Sequence, residues 1–163
     1  MPSLIAVRRV AHIRTRQRCE NCLTRQDFQE LQQWLPLAFA SSKLVTPIAG
    51  LWFGIFTPVY RSSPTADIRV SGSQTYDSAD GELNWAVKAR FRPEKKAEKS
   101  KVMNAIYRQA YKTENSLRNN AEWPLCLAYG VFLVKRLAVP DLLPDLRASI
   151  STVGIAVGFD GHQ

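Results

Sequence analysis

Histidine and cysteine, the side chains that most often bind metals or carry acid–base and nucleophilic chemistry, are scarce in this sequence. Its 163 residues include two histidines and three cysteines. Three cysteines are an odd number and too few for a disulfide-stabilised scaffold, so we expect a reducing, cytoplasmic environment. The sequence also has no Gly-x-Ser-x-Gly motif, no phosphate-binding glycine loop and no His-Glu-x-x-His motif. We therefore expect a protein that is not an enzyme and that uses no cofactor.

A long apolar segment is also missing. The longest, PLCLAYGVFLV at 124–134, is far shorter than the roughly 20 residues that a membrane-spanning helix needs. We expect no membrane insertion and assign this segment to the core. Residues 1–19 contain no acidic residue, as is typical of transit peptides, but the apolar part at 4–7 is too short for a secretory signal. We interpret these residues as part of a single globular domain that spans residues 1–163.

Acidic residues are outnumbered, and the excess of positive charge is uneven. Lysine and arginine total 22 and aspartate and glutamate total 14, which gives a net charge of +8. Residues 1–26 carry several arginines against Glu20 alone, and residues 83–112 carry mostly lysine and arginine against Glu94 and Glu98. Such an imbalance indicates a positive face for nucleic acid, an anionic membrane or an acidic protein, although a solvated basic surface has the same composition.

The hydrophobic pattern predicts an α+β fold, with an antiparallel sheet of four to five strands and two to three helices packed mainly on one face. We predict strands at 3–13 (where a helix has almost equal support), 50–60, 66–72, 82–92 and 151–159, the last of them central. Asp80-Gly81 is a hairpin-turn dipeptide, which makes 66–72 and 82–92 antiparallel neighbours.

Helices are predicted in three places. The first spans 24–35, with Thr24 as its N-cap, Asp27 completing a capping box and Pro36 ending it. The second begins at Pro93 and runs to about residue 112. The third spans 122–137, where apolar residues repeat at helical spacing, although a pair of strands is the alternative.

Cys19 and Cys22 form a Cys-x-x-Cys motif among arginines. A structural zinc site needs four ligands, and the remaining candidates, His12, Cys126 and His162, are distant in sequence and have no recognisable spacing. The motif also lacks the Gly-Pro pair of thioredoxin-type redox sites. We interpret both residues as ordinary turn cysteines, with a metal-binding or thiol-dependent site at Cys19 and Cys22 as the alternative.

Basic residues form a stripe that continues from the strand predicted at 82–92 into the following helix. We predict that the partner-binding residues are Arg69, Lys88, Arg90, Arg92, Lys95, Lys96 and Lys99. A surface of this kind can neutralise phosphates. Proteins that bind single strands usually add aromatic side chains for stacking, but strand alternation turns Trp85 and Phe91 to the other face. Docking to an acidic protein is therefore our main interpretation, and nucleic-acid binding is the alternative.

The C-terminal part of the chain resembles several bacterial immunity proteins in its layout. The similarity lies in a helix containing VMNAIYRQAY, the apolar segment PLCLAYGVFLV and a closing strand that ends in VGIAVGFDG. Immunity proteins are small α+β proteins encoded beside polymorphic or contact-dependent toxins. The resemblance implies a cytoplasmic protein that binds and neutralises a cognate toxin domain, and it assigns no residue a role. Because immunity proteins against nucleases tend to be acidic, the basic charge implies an acidic or non-nuclease toxin.

Overall fold

The structure is a computed structural model. It describes residues 4–40, 48–57, 65–79, 84–87, 89, 91–93, 98–111, 120–137 and 154–160, with side chains from Cys22 onward except those of Val87 and Glu98.

Helices and strands both contribute to the fold, which confirms the predicted α+β class. The helices are α1 (Leu4–Ala40), α2 (Asn84–Val87), α3 (Lys101–Ala110) and α4 (Glu122–Leu137). The strands are β1 (Gly50–Phe56), β2 (Asp67–Ser73), the two-residue β3 (Glu98–Lys99) and β4 (Gly154–Phe159).

The sheet is mixed rather than antiparallel. Its order is β3-β2-β1-β4, in which β1 is antiparallel to β2 and parallel to β4. The described residues therefore provide three strands of six or seven residues and the short β3, fewer than the four to five antiparallel strands we predicted. β4 lies at the edge and not in the centre. A parallel neighbour of β1 requires a long crossover, and α3 and α4 lie in the chain that leads to β4.

The prediction for the N-terminal region was wrong in its main form, because residues 4–13 are helical and not a strand. One helix, α1, runs from Leu4 to Ala40, so Thr24 lies within a helix and does not cap one. Pro36 lies inside α1 and does not end it. A proline disturbs mainly the turn that precedes it, so the burial of the following Ala38 and Phe39 in the core can keep the last turn helical.

The segment predicted as a strand at 82–92 contains the short helix α2. Its apolar alternation has a different origin, because Trp85 packs against Gly50 and makes an edge-to-face contact with Tyr76. Farther along, Phe91 forms an isolated antiparallel bridge with Gly72. Of the predicted pairing with β2, the structure shows one residue pair, Gly72 with Phe91. The next helix begins at Lys101, later than the predicted Pro93, because Ser100 is its N-cap.

α4 is a helix, as predicted, and the strand-pair alternative is wrong. Gly130 lets it lie close to the sheet: a Cβ atom there would meet Ile55 at 3.1 Å, Val157 at 3.2 Å and Met103 at 3.3 Å. These neighbours belong to β1, β4 and α3, so α4 lies above the gap between β1 and β4. The same face of the sheet carries the main core, which includes Phe53.

Candidate protein-binding surface

Three of the predicted basic residues, Arg69, Arg92 and Lys99, lie in the part of the chain that the structure describes. Arg69 lies on β2 with its guanidinium carbon 3.6 Å from the centre of the Phe56 ring. Lys99 is exposed on β3, directly opposite Asp67 in the strand register, and Arg92 is exposed after the Phe91 bridge. An acidic residue therefore lies opposite one of these cations, Lys99.

The remaining members of the predicted set, Lys88, Arg90, Lys95 and Lys96, lie outside the described residues. The reasoning that placed Lys88, Arg90 and Arg92 on one sheet face required a continuous strand at 82–92. Asn84–Val87 is helical, so strand alternation does not extend through the first half of that range.

Cys19 and Cys22 both lie within α1, and not in a turn before a helix as we interpreted them. The Cys22 side chain is exposed and forms no disulfide. Among the side chains that the structure describes, no group of three histidine, cysteine or acidic residues is arranged to hold a metal ion.

The inner face of α4 holds titratable groups away from water. Cys126 is fully buried and Glu122 is 6% exposed. Burial, with a smaller contribution from the Glu122 carboxylate, raises the pKa of the Cys126 thiol to about 12. Burial also raises the pKa of Tyr107 to about 12, with Cys126 as a further cause and Thr57 acting in the opposite direction. A thiol with so high a pKa is a poor nucleophile at neutral pH, which fits a structural role for Cys126.

The outward side of α4 is apolar although it faces water. Leu125 is 45% exposed and Phe132 is 49% exposed, and Ala128 between them is also exposed. Their spacing of three and four residues places them on one helix face. An exposed row of large apolar side chains is a candidate interaction surface.

Positive charge borders this apolar row at its C-terminal end. Lys135 and Arg136 are both exposed in the last turn of α4, and the Arg136 guanidinium carbon lies 4.5 Å from the centre of the Phe28 ring. The one acidic residue of α4, Glu122, is buried at the other end. We call Leu125, Ala128, Phe132, Lys135 and Arg136 the α4 face.

Comparisons with protein-family models, curated proteins and solved structures find no match for this chain. The assignment of a function therefore depends on the geometry of the site. In the described part of the chain, no helix combines the length and the apolar composition needed to cross a bilayer.

A buried carboxylate fixes the helix layer that supports the α4 face. Asp27 of α1 has no exposed surface, and it accepts hydrogen bonds from the Ser100 hydroxyl (2.6 Å) and from the backbone N–H groups of Lys101 (2.8 Å) and Val102 (3.1 Å). The Tyr129 hydroxyl of α4 donates a fourth at 3.2 Å. One side chain thus caps α3 and ties α1 to both α3 and α4.

The sequence indicated that the apolar residues of the α4 face lie on a helix, but not that they are exposed. Leu125, Ala128 and Phe132 belong to the helical repeat at 122–137, but a repeat does not show which of its members face the core. Apolar residues occur all round α4, at Cys126, Gly130 and Leu133 on the buried side as well. The helical repeat alone therefore did not distinguish the buried side of α4 from its exposed side.

Proposed function

We propose that this protein is a non-catalytic protein-binding module that docks an acidic partner protein on the α4 face. The observation that carries the proposal is the exposed row of Leu125, Ala128 and Phe132, bordered by Lys135 and Arg136.

The apolar row supplies the affinity. Covering a leucine or phenylalanine side chain that was exposed contributes up to about 1.5–3 kcal/mol, and Leu125 and Phe132 are each about half exposed at the start. Binding energy in protein interfaces concentrates in a few such anchors near the centre of the contact. Because both anchors belong to one well-packed helix, little conformational entropy is lost when they are covered.

The basic residues at the end of the apolar row orient the partner and increase the association rate. Lys135 and Arg136 bias the encounter toward an acidic surface, and the net charge of +8 acts in the same direction over a longer range. The partner best suited to this surface has an apolar groove or patch with acidic residues at one end.

The layout shared with bacterial immunity proteins suggests the finer assignment. We propose that the partner is a toxin domain, that binding neutralises it, and that the protein acts in the cytoplasm. The positive charge requires a toxin surface that is acidic at the contact, which fits a non-nuclease toxin better than a basic nuclease.

Co-expression with the product of the adjacent gene tests this proposal. If that product is toxic, the wild-type chain restores growth, and we expect Leu125→Asp with Phe132→Asp to lose the protection. Gln33→Asp, an exposed position on α1, is the matched control and keeps it. With purified partner, the same pair of substitutions lowers affinity at least tenfold while the thermal melt stays unchanged.

Two results would count against the proposal. If the variant with Leu125→Asp and Phe132→Asp still protects the cells, the α4 face is not part of the interface. Co-purifying oligonucleotide with a steep salt dependence, in place of a protein partner, would support nucleic-acid binding through the basic residues.

A further inference from the structure

Among the residues that the structure describes, no strand pairs with the outer edge of β4. Its N–H groups toward β1 belong to even-numbered residues, since Gly154 donates to Ala49 at 2.9 Å and Asp160 donates to Ile55 at 3.0 Å. In a parallel pair, alternate residues bond to the same neighbour. The N–H and C=O groups of Ile155, Val157 and Phe159 therefore point away from β1.

The described strand β4 itself has none of the features that guard an edge against pairing. The described sheet ends at β4, and its register with β1 is continuous from Gly154 to Phe159, with no bulge. The strand GIAVGF has neither a charged residue nor a proline. Bulges, charges and prolines are the features that keep edge strands from pairing with other chains. Ile155 is also 36% exposed.

We propose that a second copy of this chain pairs with β4, edge to edge and antiparallel, to form a symmetric dimer. This surface is separate from the α4 face, and the inference does not depend on the proposed function. A two-fold axis beside Val157 places it opposite its own copy and places Ile155 opposite Phe159 of the other copy. All three residues contribute outward-pointing backbone groups, so the edge is self-complementary.

The position of α4 explains why the occupant is a second copy and not a single strand. Gly130 contacts both Ile55 and Val157, so α4 lies above the gap between β1 and β4. With strands about 4.8 Å apart, the same axis puts the two α4 helices roughly 10 Å apart, which is a packing distance for helices. A lone extended peptide would occupy the strand edge but leave the helix flank uncovered.

The side of α4 that lies next to the outer edge of β4 is apolar. Trp123, Leu127 and Val131 follow one another at four-residue spacing, and the Trp123 ring lies 4.6 Å from the ring of Phe159 on β4. The row therefore runs along β4. Val131 is 47% exposed and Leu127 is partly exposed, so a helix from the second copy would cover both.

Charge and area are compatible with this dimer. The two α4 helices run antiparallel, so Lys135 of one copy lies about 15 Å along the axis from Lys135 of the other, beyond the screening length of about 8–10 Å. The side formed by β4 and α4 is about 24 Å long and about 20 Å high. Two copies meeting there cover on the order of 1,000 Å², which is the size at which specific interfaces begin.

Light scattering after size exclusion, from low to high micromolar protein, tests the proposal. We expect the wild-type chain to dimerise with increasing concentration, and Ile155→Lys and Val131→Glu each to weaken the dimer at least tenfold. Leu125→Glu is the matched control, because Leu125 and Val131 have nearly the same exposure on the same helix (45% and 47%). We expect Leu125→Glu to leave the dimer intact. Thermal melts of each variant check that it is folded.

Crosslinking tests the orientation. In a Cys19→Ser/Cys22→Ser background, Val131→Cys crosslinks to its own copy with a short bis-maleimide reagent, and Leu125→Cys does not. A wild-type chain that stays monomeric at every concentration would overturn the proposal. So would a dimer that is insensitive to both Ile155→Lys and Val131→Glu, or one that crosslinks through Leu125→Cys instead.

Discussion

At the scale of single residues, Asp27 links more of the structure than any pattern in the sequence suggested. The sequence interpretation gave it a role in capping its own helix, but it caps α3 instead and also receives the Tyr129 hydroxyl. Burial, followed by the neighbouring Asp27 charge, raises the pKa of Tyr129. The tyrosine therefore stays protonated and remains a donor to the carboxylate.

Replacing Asp27 is expected to be costly. Asp27→Ala leaves the buried Ser100 hydroxyl and the N–H groups of Lys101 and Val102 without an acceptor, so we predict a loss of about 2–4 kcal/mol in the free energy of unfolding, measured by urea denaturation. Asp77→Ala is the control, because Asp77 is exposed and accepts a hydrogen bond from the nearby Ala79 N–H. Its effect is expected within about 0.5 kcal/mol. Equal effects of the two substitutions would show that Asp27 does not link the helices.

The buried thiol and phenol predict a loss of stability in alkali. The pKa of Cys126 is raised from 9.0 to about 12, and that of Tyr107 from 10.0 to about 12. Between pH 9 and 12 the unfolded chain therefore binds fewer protons than the folded chain, so stability is complete below pH 9 and falls as pH rises. The slope is at most about 1.4 kcal/mol per pH unit for each group.

Urea denaturation at a series of pH values measures this loss. In Cys126→Ala, the fall is expected to begin near pH 10, where tyrosine starts to ionise, and not near pH 9. An identical onset in wild type and variant would mean that the thiol is not the first group to titrate.

At the scale of elements, α4 depends on a residue that lowers helix propensity. Glycine is a weak helix former, yet Gly130 is the point at which α4 approaches the sheet. Close packing against Ile55, Val157 and Met103 accounts for a glycine there despite its cost of about 1 kcal/mol relative to alanine.

Filling that space is predicted to destabilise the fold. Gly130→Val introduces methyl groups where even a Cβ atom would lie 3.1–3.3 Å from its neighbours, so we expect a loss of about 1–3 kcal/mol in unfolding free energy. The matched control is Ala128→Val, which is exposed on the same helix and is expected to cost less than about 1 kcal/mol. Differential scanning calorimetry distinguishes them. A valine at 130 that costs no more than one at 128 would contradict the close approach of α4.

Elements could be predicted from the sequence where the hydrophobic pattern was clear and nearby residues marked both ends. β2 alternates Ile68 and Val70 inward, and it was predicted within one residue at each end. α4 was predicted at its observed limits. The elements that failed depend on distant contacts: the apolar alternation at 82–92 comes from Trp85 seated against Gly50 and from Phe91 stacked on Phe39, with centroids 4.6 Å apart.

The candidate site was harder to predict than the fold. Charge is visible in a sequence, so the prediction concentrated on lysine and arginine, and four of those residues lie outside the described part of the chain. The exposure of Leu125 and Phe132 is a property of packing. It follows from which side of α4 meets the sheet, and that side is chosen by Gly130 and Cys126 together with the strands beneath them.

At the scale of the whole molecule, the proposed docking combines an apolar centre with long-range attraction. The net charge of +8 acts mainly on the association rate, and the anchors Leu125 and Phe132 act mainly on dissociation. We therefore predict that Lys135→Glu with Arg136→Glu slows association several-fold and reduces its salt dependence, measured by stopped-flow mixing with the partner. The apolar substitutions are expected to speed dissociation instead. If the charge substitutions changed mainly dissociation and the apolar substitutions mainly association, the prediction would be wrong.

The most direct test of the central claim is a scan with a photo-crosslinking amino acid in the host cell. The reactive group is placed in turn at Leu125, Ala128 and Phe132, and at the exposed control positions Gln33 and Arg108 on other helices. We predict that one acidic protein is crosslinked from the three α4 positions and from neither control. Crosslinking of that protein from Gln33 or Arg108 but not from α4, or of nucleic acid from any position in its place, would contradict it.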